Sequence, residues 1–442
     1  MVCFGRHTIT GLLRLQNRSH QDWTADYRFY AEDHFDEDKA FASLRRQIEE
    51  DLADDAPLVS AMDDSMLRKT GTQISGVRYM RDPMSPPFHV NFVRGLRVLQ
   101  ISAAVPQGKE GAARLVPIDF QHAALPLKPR QNAPAHLQEA YEKERASKNI
   151  NRVGRERLAF LRQQMDQGGA VHRPLIVSID GRFTNSTVLK EIPQRTTLIG
   201  RVRKDSVFFH PPQEQKNRGR KRKYGLRCPT PEELLHDERT PFQKVEVYHA
   251  GKRQTLEVKT LAPVYTQMDK GQKPLRLLVI KGPRYHLTKT KTDRREPAFL
   301  ICTDPNLPLE KVLQYYLWRW DIEVNFRDEK TILGVGQAQV RNQASNQNAP
   351  ALAVAAYAVL LLASLKTYGA EGKPETFHTP RWDKRKSLRR ATTNDLRNQV
   401  RYALWSSALL THFRPLSSNE GSDQNGRKCD LPLNSALFHT IR

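Results

Sequence analysis

The segment Tyr316-Leu-Trp-Arg319-Trp-Asp-Ile-Glu323-Val-Asn-Phe-Arg-Asp-Glu-Lys330 carries polar side chains at helical spacing. On a helix, about 100° per residue brings its first tyrosine, first arginine, central glutamate and last lysine within an arc of roughly 60°. One stripe would then present a carboxylate between two cations and a phenol. A carboxylate can hold a metal ion while Arg and Lys neutralise phosphates. We therefore expect this stripe to bind and position nucleic acid. Its four members are Tyr316, Arg319, Glu323 and Lys330.

A simpler interpretation of the same helix is a solvated face. Glu, Arg and Lys at this spacing are typical of exposed helices with i,i+4 ion pairs. The apolar residues of the segment, however, are spread around the helix, which indicates a helix that packs on several sides. These residues are Leu317, Trp318, Trp320, Ile322, Val324 and Phe326.

The charge balance points to a polyanionic partner. The 442 residues include 71 Lys and Arg against 48 Asp and Glu, giving a net charge of +23. Nucleic acid is the commonest soluble polyanion. The positive charge is spread along the chain, whereas a membrane-surface protein concentrates it in an amphipathic helix or a juxtamembrane cluster. The length allows two or three domains.

Other bulk features favour a soluble protein of a reducing compartment. The four cysteines lie far apart in the sequence, which argues against a zinc site or a disulfide framework. The N-terminus has no apolar stretch of signal-peptide length. The uncharged run from Ala349 to Leu365 is shorter than the ~20 residues of a membrane span, and we expect a buried helix there.

Two apolar runs end in aspartates. The run from Pro57 to Met62 reads as a strand and is followed by Asp63-Asp64-Ser65. The run from Leu175 to Ile179 is typical of a strand buried on both faces, and Asp180 follows it. An aspartate at a strand end often caps a turn or a helix.

A second possibility joins these aspartates to the helix. Two adjacent strands and a facing helix that carries Glu323 can bring three carboxylates together, and such a cluster would repel itself without divalent cations. Oxygen ligands suit Mg²⁺ or Mn²⁺. Two such ions stabilise the attacking and leaving oxygens of a phosphoryl displacement.

The order of elements predicts an α/β fold of the ribonuclease H-like type, with a mixed sheet flanked by helices. Two strands, at 88–92 and 96–105, are expected to pair around Arg94-Gly95, followed by a loop over 106–134 and a helix over 135–165 interrupted near Gly154. Strands at 245–249, 255–258, 275–280 and 298–302 form a β-rich insertion before the glutamate helix. The predicted domains are a helical N-terminal region (1–52), a catalytic domain (53–368) with its insertion at about 204–310, and a basic C-terminal tail (369–442).

The helix pattern of Tyr, two residues, Arg, three residues, Glu, six residues and Lys resembles the signature of bacterial insertion-sequence transposases of the DDE type, in the YREK subgroup. The segments around Asp63-Asp64-Ser65 and Ile179-Asp180-Gly181 are similar to the two aspartate segments of that family. The resemblance covers roughly residues 55 to 365. Ser65 stands where Thr is usual.

The resemblance implies hydrolysis at transposon ends and then attack of the freed 3′-hydroxyl on target DNA. It implies that Asp64, with Asp63 as the alternative, joins Asp180 and Glu323 to hold two Mg²⁺ or Mn²⁺ ions. Tyr316, Arg319 and Lys330 would grip phosphates. Trp320 would stack on an unpaired base unless it belongs to the core.

Further expectations concern partners. The basic loop is expected to contact the DNA backbone through Arg220, Lys221, Arg222 and Lys223. The implied partners are transposon ends and target DNA, with a homodimer in the synaptic complex, in the bacterial cytoplasm at the nucleoid. The N-terminal region would be a truncated DNA-binding domain or a packing region. Two alternatives are an inactive or domesticated end-binding protein and a ribonuclease H-like nuclease or resolvase.

Overall fold

The computed structural model describes residues 2–3, 5–32, 34–82, 85–86, 88–107, 111–213, 221–286, 292–373 and 390–412. The chain forms two compact units. One unit is Asp36–Phe326, and the other combines Met1–Phe35 with Arg327–Arg442. The predicted boundaries at 52/53 and 368/369 stay predictions.

The described part of the chain contains helices and strands in alternating groups. The helices are α1 (Ile9–Leu15), α2 (Thr24–Ala31), α3 (Glu37–Asp51), α4 (Ala135–Ser147), α5 (Ile150–Gln167), α6 (Ser186–Leu189), α7 (Pro231–His236), α8 (Leu309–Trp318), α9 (Trp320–Thr331), α10 (Gln343–Tyr368) and α11 (Thr393–His412). The strands are β1 (Leu58–Arg68), β2 (Arg78–Arg81), β3 (Phe92–Pro106), β4 (Ala113–His122), β5 (Leu175–Ile179), β6 (Thr196–Arg201), β7 (Gln243–His249), β8 (Lys252–Val264), β9 (Leu275–Ile280), β10 (Arg284–His286), β11 (Thr292–Arg294) and β12 (Ala298–Cys302).

A ten-stranded mixed sheet forms the centre of the unit Asp36–Phe326. Its order is β2-β3-β1-β5-β6-β12-β9-β8-β7, and β4 pairs with β3. Strand β1 runs antiparallel to β3 and parallel to β5, and β5 runs parallel to β6. This arrangement, flanked by helices, is consistent with the predicted ribonuclease H-like α/β fold, which is thereby confirmed.

Strand β5 shows why the sheet centre is stable. All five of its residues are buried, as the continuous apolar run predicted. Ile176 belongs to a core cluster that also contains Ile322 and Phe326 of α9. Each fully buried Ile, Leu or Phe contributes roughly 1.5–3 kcal/mol.

The insertion extends the same sheet. Strand β12 pairs antiparallel with β6, and β9, β8 and β7 follow outward. The predicted strands at 245–249, 255–258, 275–280 and 298–302 are confirmed as parts of β7, β8, β9 and β12. At the outer edge, the Gln314 amide of α8 both accepts from Tyr248 N and donates to Tyr248 O at 2.8 Å. The insertion is therefore fastened to the helix that leads into α9.

The prediction of a strand pair around Arg94-Gly95 is wrong. Strand β3 runs straight through both residues. A Cβ on Gly95 would lie 2.7 Å from the Leu67 carbonyl oxygen, so glycine serves here for the close approach of β1 and β3. Strand β3 pairs antiparallel with β1, β2 and β4, and β4 lies inside the predicted loop 106–134.

The predicted helix over 135–165 is present but interrupted elsewhere. The break falls between α4 and α5, where the Asn149 side chain accepts from Asn151 N at 2.9 Å and begins α5. Gly154 lies within α5, and a Cβ there would come 3.0 Å from the Phe183 ring. This glycine allows the helix to pack closely, and it does not end the helix.

The unit formed by the two chain ends is helical. Ile9 and Leu13 of α1 pack with Val340, and the Asn348 side chain of α10 donates to Tyr30 O at 3.1 Å. Helix α10 is long and apolar enough, by length and composition alone, to cross a membrane, but 61% of its most apolar window is buried in the structure. The predicted buried helix over 349–365 is confirmed as part of α10.

A buried ion pair joins α3, β4 and α5. Arg157 donates from Nε to Asp119 Oδ2 at 2.9 Å and from Nη2 to Asp38 Oδ1 at 2.9 Å. The Asp119 side chain is only 2% exposed. The guanidinium also lies 4.0 Å from the centroid of the Phe160 ring. Asp119 therefore depends on Arg157 for its charge compensation.

We expect Arg157→Met to lower the free energy of unfolding by about 3 kcal/mol, because it leaves the Asp119 carboxylate buried without its cation. Urea denaturation measures the change. The matched control is Arg145→Met, which removes an exposed ion pair with Glu142 on α4 and should change stability by less than about 0.5 kcal/mol. Equal effects of the two substitutions would contradict a structural role for the buried pair.

Candidate active site

The parallel pairing of β1 with β5 brings two aspartates together. Met62 pairs with Ile179 at the last position of the ladder. Asp63 and Asp180 follow these residues, so they occupy equivalent positions at the same edge of adjacent strands. Their mutual repulsion contributes to the raised pKa of Asp63.

Asp63 and Asp64 lie on opposite faces of the sheet, because side chains alternate along a strand. Val59 and Ala61 pack in the core cluster that contains residues of α8 and α9, and Asp63 continues that face. Met62 lies against Gly154 of α5, and Asp64 continues this second face. Of the two neighbouring aspartates, only Asp63 therefore shares a face with the α8–α9 helices.

The predicted single helix over 316–330 is two helices that meet at Arg319. The turn is tightened there by a hydrogen bond from Ile322 N to Arg319 O at 3.0 Å. Arg319 donates from Nη2 to Glu323 Oε1 at 3.0 Å and approaches Asp63 Oδ2 from Nη1 at 3.5 Å. The guanidinium also lies 5.7 Å from the centroid of the Tyr316 ring. Arg319 thus joins the strand carboxylate to the helix carboxylate.

The environment of Asp63 disfavours its charged form. Burial first, and then the Asp180 carboxylate, raise the pKa of Asp63 to about 7, against the opposing effect of Arg319. The Asp63 side chain is 16% exposed. Asp63 is thus a largely buried carboxyl group next to a second carboxylate, with one guanidinium as its opposing charge.

Asp64 makes a separate pair with Arg182, in the loop after β5. One guanidinium nitrogen of Arg182 lies 2.8 Å from each carboxylate oxygen of Asp64. The Asp64 side chain is 7% exposed and that of Arg182 is 54% exposed. A buried carboxylate thus orients a cation that faces solvent.

Asp180 also holds the turn that carries Arg182. Its Oδ1 accepts from Arg182 N at 2.9 Å and from Phe183 N at 3.3 Å. The capping role that an aspartate at a strand end commonly plays is therefore present here. It fixes the carboxylate orientation beside Asp63.

The remaining predicted site residues are distributed as follows. Trp318 donates from Nε1 to Gly111 O at 2.8 Å and is held in the fold, whereas Trp320 is exposed. Lys330 lies in α9, within the unit that contains the chain ends. Lys221, Arg222 and Lys223 are exposed, and Arg220 lies outside the described residues.

The predicted metal ligands are carboxylates that lie near one another without forming a closed set. Among the described residues, no group of three or more His, Cys, Asp and Glu side chains is gathered closely enough to hold a metal ion. Arg319 instead spans Asp63 and Glu323. The oxygen donors of Asp63, Asp180 and Glu323 are of the type that suits Mg²⁺ or Mn²⁺. Burial first, and then the neighbouring Asp180, disfavours the charged form of Asp63, as its raised pKa indicates. The chemistry of the donors thus suits a divalent cation, although the side chains are not gathered into a closed ligand set.

Sequence reasoning missed Arg182. The signal available was its position two residues after Asp180, where a turn returns a side chain toward the strand edge. Its pairing with Asp64 depends on the position of β1 relative to β5, which the sequence alone does not show.

Comparison with models of known protein families shows the family of this chain. Residues 1–260 match the family model of the DDE superfamily endonucleases. The chain belongs to this family. The matched range contains both aspartate segments and ends before α9. Membership supports a nuclease or transposase enzyme that acts on DNA and uses divalent metal ions. A comparison with curated proteins gave no match.

We expect Asp63→Asn to remove a pH dependence of stability. The pKa of Asp63 is about 7 in the folded protein against an ordinary value of 3.8, so the folded state keeps a proton that the unfolded chain releases between these values. The wild type therefore loses stability as pH rises from about 4 to 7. The variant should gain relative stability over this window, by at most about 4 kcal/mol at pH 8, since each unit is worth about 1.36 kcal/mol.

Urea denaturation with a metal chelator at pH 4, 6 and 8 measures this difference. The low-pH point is the internal control, because both folded proteins are neutral at position 63 there and ionisation of the unfolded chain contributes less than about 1 kcal/mol. A difference that does not change with pH would contradict the raised pKa of Asp63.

Proposed function

We propose that this protein is an insertion-sequence DNA transposase that cuts transposon ends and joins them to target DNA. The observation that supports this most strongly is the ion-paired group of Asp63, Arg319 and Glu323 beside Asp180. The YREK spacing of the α8–α9 helices adds to it. The substrates would be inverted-repeat ends and target DNA, and synapsis of two ends implies a homodimer in the bacterial cytoplasm.

We propose Asp63, Asp180 and Glu323 as the carboxylates that hold Mg²⁺ or Mn²⁺. The initial prediction assigned this role to Asp64, and the sheet face supports its alternative, Asp63. Two bound ions would stabilise the attacking and leaving oxygens of the phosphoryl displacement. Arg319 keeps Asp63 and Glu323 near each other before DNA arrives, and its guanidinium is suited to the scissile phosphate.

Other residues of the chain would position the DNA. Asp64 holds Arg182 toward solvent at the site, so Arg182 is suited to contact a phosphate next to the cut. Trp320 is exposed and free of the packing role that Trp318 has, which supports stacking on an unpaired base. Lys330 and the described lysines and arginine of the basic loop, residues 221–223, supply backbone contacts.

We expect Asp63→Asn and Glu323→Gln each to reduce cleavage of a labelled duplex to background while leaving DNA affinity within about twofold, because each change removes a ligand charge but keeps the shape. The duplex carries the two flanking ends of the gene, with Mg²⁺ in the buffer. Asp64→Asn should retain Mn²⁺ binding, measured by electron paramagnetic resonance of free Mn²⁺, whereas Asp63→Asn should lose it.

The outcomes separate the candidates. Boundary cleavage followed by joining to a second duplex identifies a transposase. Cleavage of branched DNA without joining identifies a nuclease or resolvase instead. DNA binding without cleavage identifies an inactive end-binding descendant. Loss of Mn²⁺ binding in Asp64→Asn but not in Asp63→Asn would return the ligand role to Asp64.

We expect Arg182→Gln to weaken duplex binding and to reduce the slope of log affinity against log salt by about one, because one phosphate contact releases about one counterion. Fluorescence anisotropy between 50 and 200 mM salt measures the slope. The control is Arg145→Gln on α4, an arginine already paired with Glu142, for which the slope should stay as in the wild type. An unchanged slope in Arg182→Gln would remove Arg182 from the phosphate contacts.

A further inference from the structure

A hairpin at the edge of the sheet carries an unusual mixture of side chains. It consists of β2, the start of β3 and the described residues between them (82, 85–86 and 88–91), and we call it the edge hairpin. Tyr79 pairs directly with Arg94, and Arg81 pairs directly with Phe92. Directly opposite residues of an antiparallel pair share a face. Two aromatic rings and two guanidinium groups therefore alternate on one face.

The aromatic groups of the edge hairpin are turned to solvent. Tyr79 is 70% exposed, Phe92 is 64% exposed, and Phe88 in the turn is 90% exposed. Among the large apolar side chains of the described residues, Phe88 is the most exposed. Several exposed aromatics in one place mark an interaction site, whereas single ones are ordinary.

The charge around these rings is positive. The Arg94 guanidinium lies 5.5 Å from the centroid of the Tyr79 ring. Asp82 is paired with Arg68 at 3.0 Å. Arg81 is exposed beside Phe92. The surface is thus suited to a partner that offers both flat apolar rings and negative charge.

The turn of the hairpin is internally bonded. Asp82 N donates to Asn91 O at 2.9 Å, Asn91 N donates to Ser85 Oγ at 3.0 Å, and His89 N donates to Pro86 O at 3.1 Å. Phe88 lies between Pro86 and His89, which the last of these bonds joins. Its ring is therefore carried by a hydrogen-bonded turn.

The edge hairpin lies on the same face of the sheet as Asp63. Asp63 pairs with Gln100 on β3, and the pairing of β1 with β3 continues without a shift to Gly95. Phe92 and Arg94 have the same parity as Gln100, so all three point to one face. From residue 92 to residue 100 is eight residues, about 27 Å at ~3.4 Å per residue. That length corresponds to about eight base pairs of duplex DNA at ~3.4 Å each.

We propose that the edge hairpin binds unpaired DNA near the cleavage site, with Tyr79, Phe88 and Phe92 stacking on bases and Arg81 and Arg94 contacting the backbone. This inference rests on the proposed function, because it takes DNA as the substrate. Duplex backbone contacts need only cations, whereas exposed rings interleaved with arginines suit a single strand whose bases are accessible. The hairpin would thereby hold a melted segment of the element end or of the target.

A second copy of the chain fits this surface less well. An edge strand can pair with another edge strand, but β2 presents arginines at both of its ends, and two like-charged edges repel. The net charge of +23 adds to that repulsion. DNA matches both the charge and the rings.

The test compares the full-length protein with the triple variant Tyr79→Ser/Phe88→Ser/Phe92→Ser. The probes are a 30-nucleotide mixed-sequence single strand and the corresponding 30-base-pair duplex, measured by fluorescence anisotropy at 100 mM salt. We expect the variant to lose at least tenfold in single-strand affinity, since stacking on one base is worth about 1–3 kcal/mol, and at most twofold in duplex affinity. The matched control is Leu127→Ser/Leu137→Ser, which removes two exposed leucines outside the hairpin and should leave both affinities unchanged.

The possible outcomes distinguish failure of this inference from failure of the proposed function. Wild-type binding to both probes with no selective loss in the triple variant overturns the hairpin proposal and leaves a DNA-acting enzyme. Absence of wild-type binding to either probe overturns both. An equal loss on both probes overturns stacking, and circular dichroism then tells misfolding from a general backbone contact. A change from dimer to monomer in sedimentation, with DNA affinities unchanged, overturns the proposal in favour of self-association.

Discussion

The parallel ladder between β1 and β5 is the constraint on which the candidate site depends. Its last pair, Met62 with Ile179, places the following aspartates side by side. A shift of one residue would turn Asp63 to the opposite face and bring Asp64 in its place. The buried run of β5 resists such a shift, because the shift would move its five buried residues out of their positions in the core. Packing of apolar side chains thus determines which carboxylate meets Asp180.

Two arginines then balance the charge that this register creates. Arg319 stands between Asp63 and Glu323, and Arg182 neutralises Asp64 on the other face. Burial and the neighbouring Asp180 still leave the pKa of Asp63 at about 7. The candidate site of the free protein therefore combines three carboxylates with the Arg319 guanidinium between two of them. The exposed Arg182 lies on the opposite face, beside Asp64.

The sequence predicted much of this structure, and the failures have physical reasons. The continuous apolar run of β5 and the insertion strands were recognisable because their pattern and length are local properties. The faces on which Asp63 and Asp64 lie were not, because the facing direction of a strand residue depends on which face the neighbouring helices cover. Gly95 looked like a turn, since a glycine required by a close strand approach has the same sequence signal. Arg182 was missed because its partner is more than a hundred residues away.

The sheet continues from β1, β5 and β6 into the insertion through β12, and the core cluster includes residues of both parts. Strand β12 is also the last strand before α8 and α9, so the insertion itself delivers the glutamate to the site. Removal of the whole insertion would therefore also remove the strand that leads the chain into α8 and α9. The outer strands β7 and β8 lie further from β6 in the sheet, so changes confined to them would leave the pairing of β12 with β6 in place.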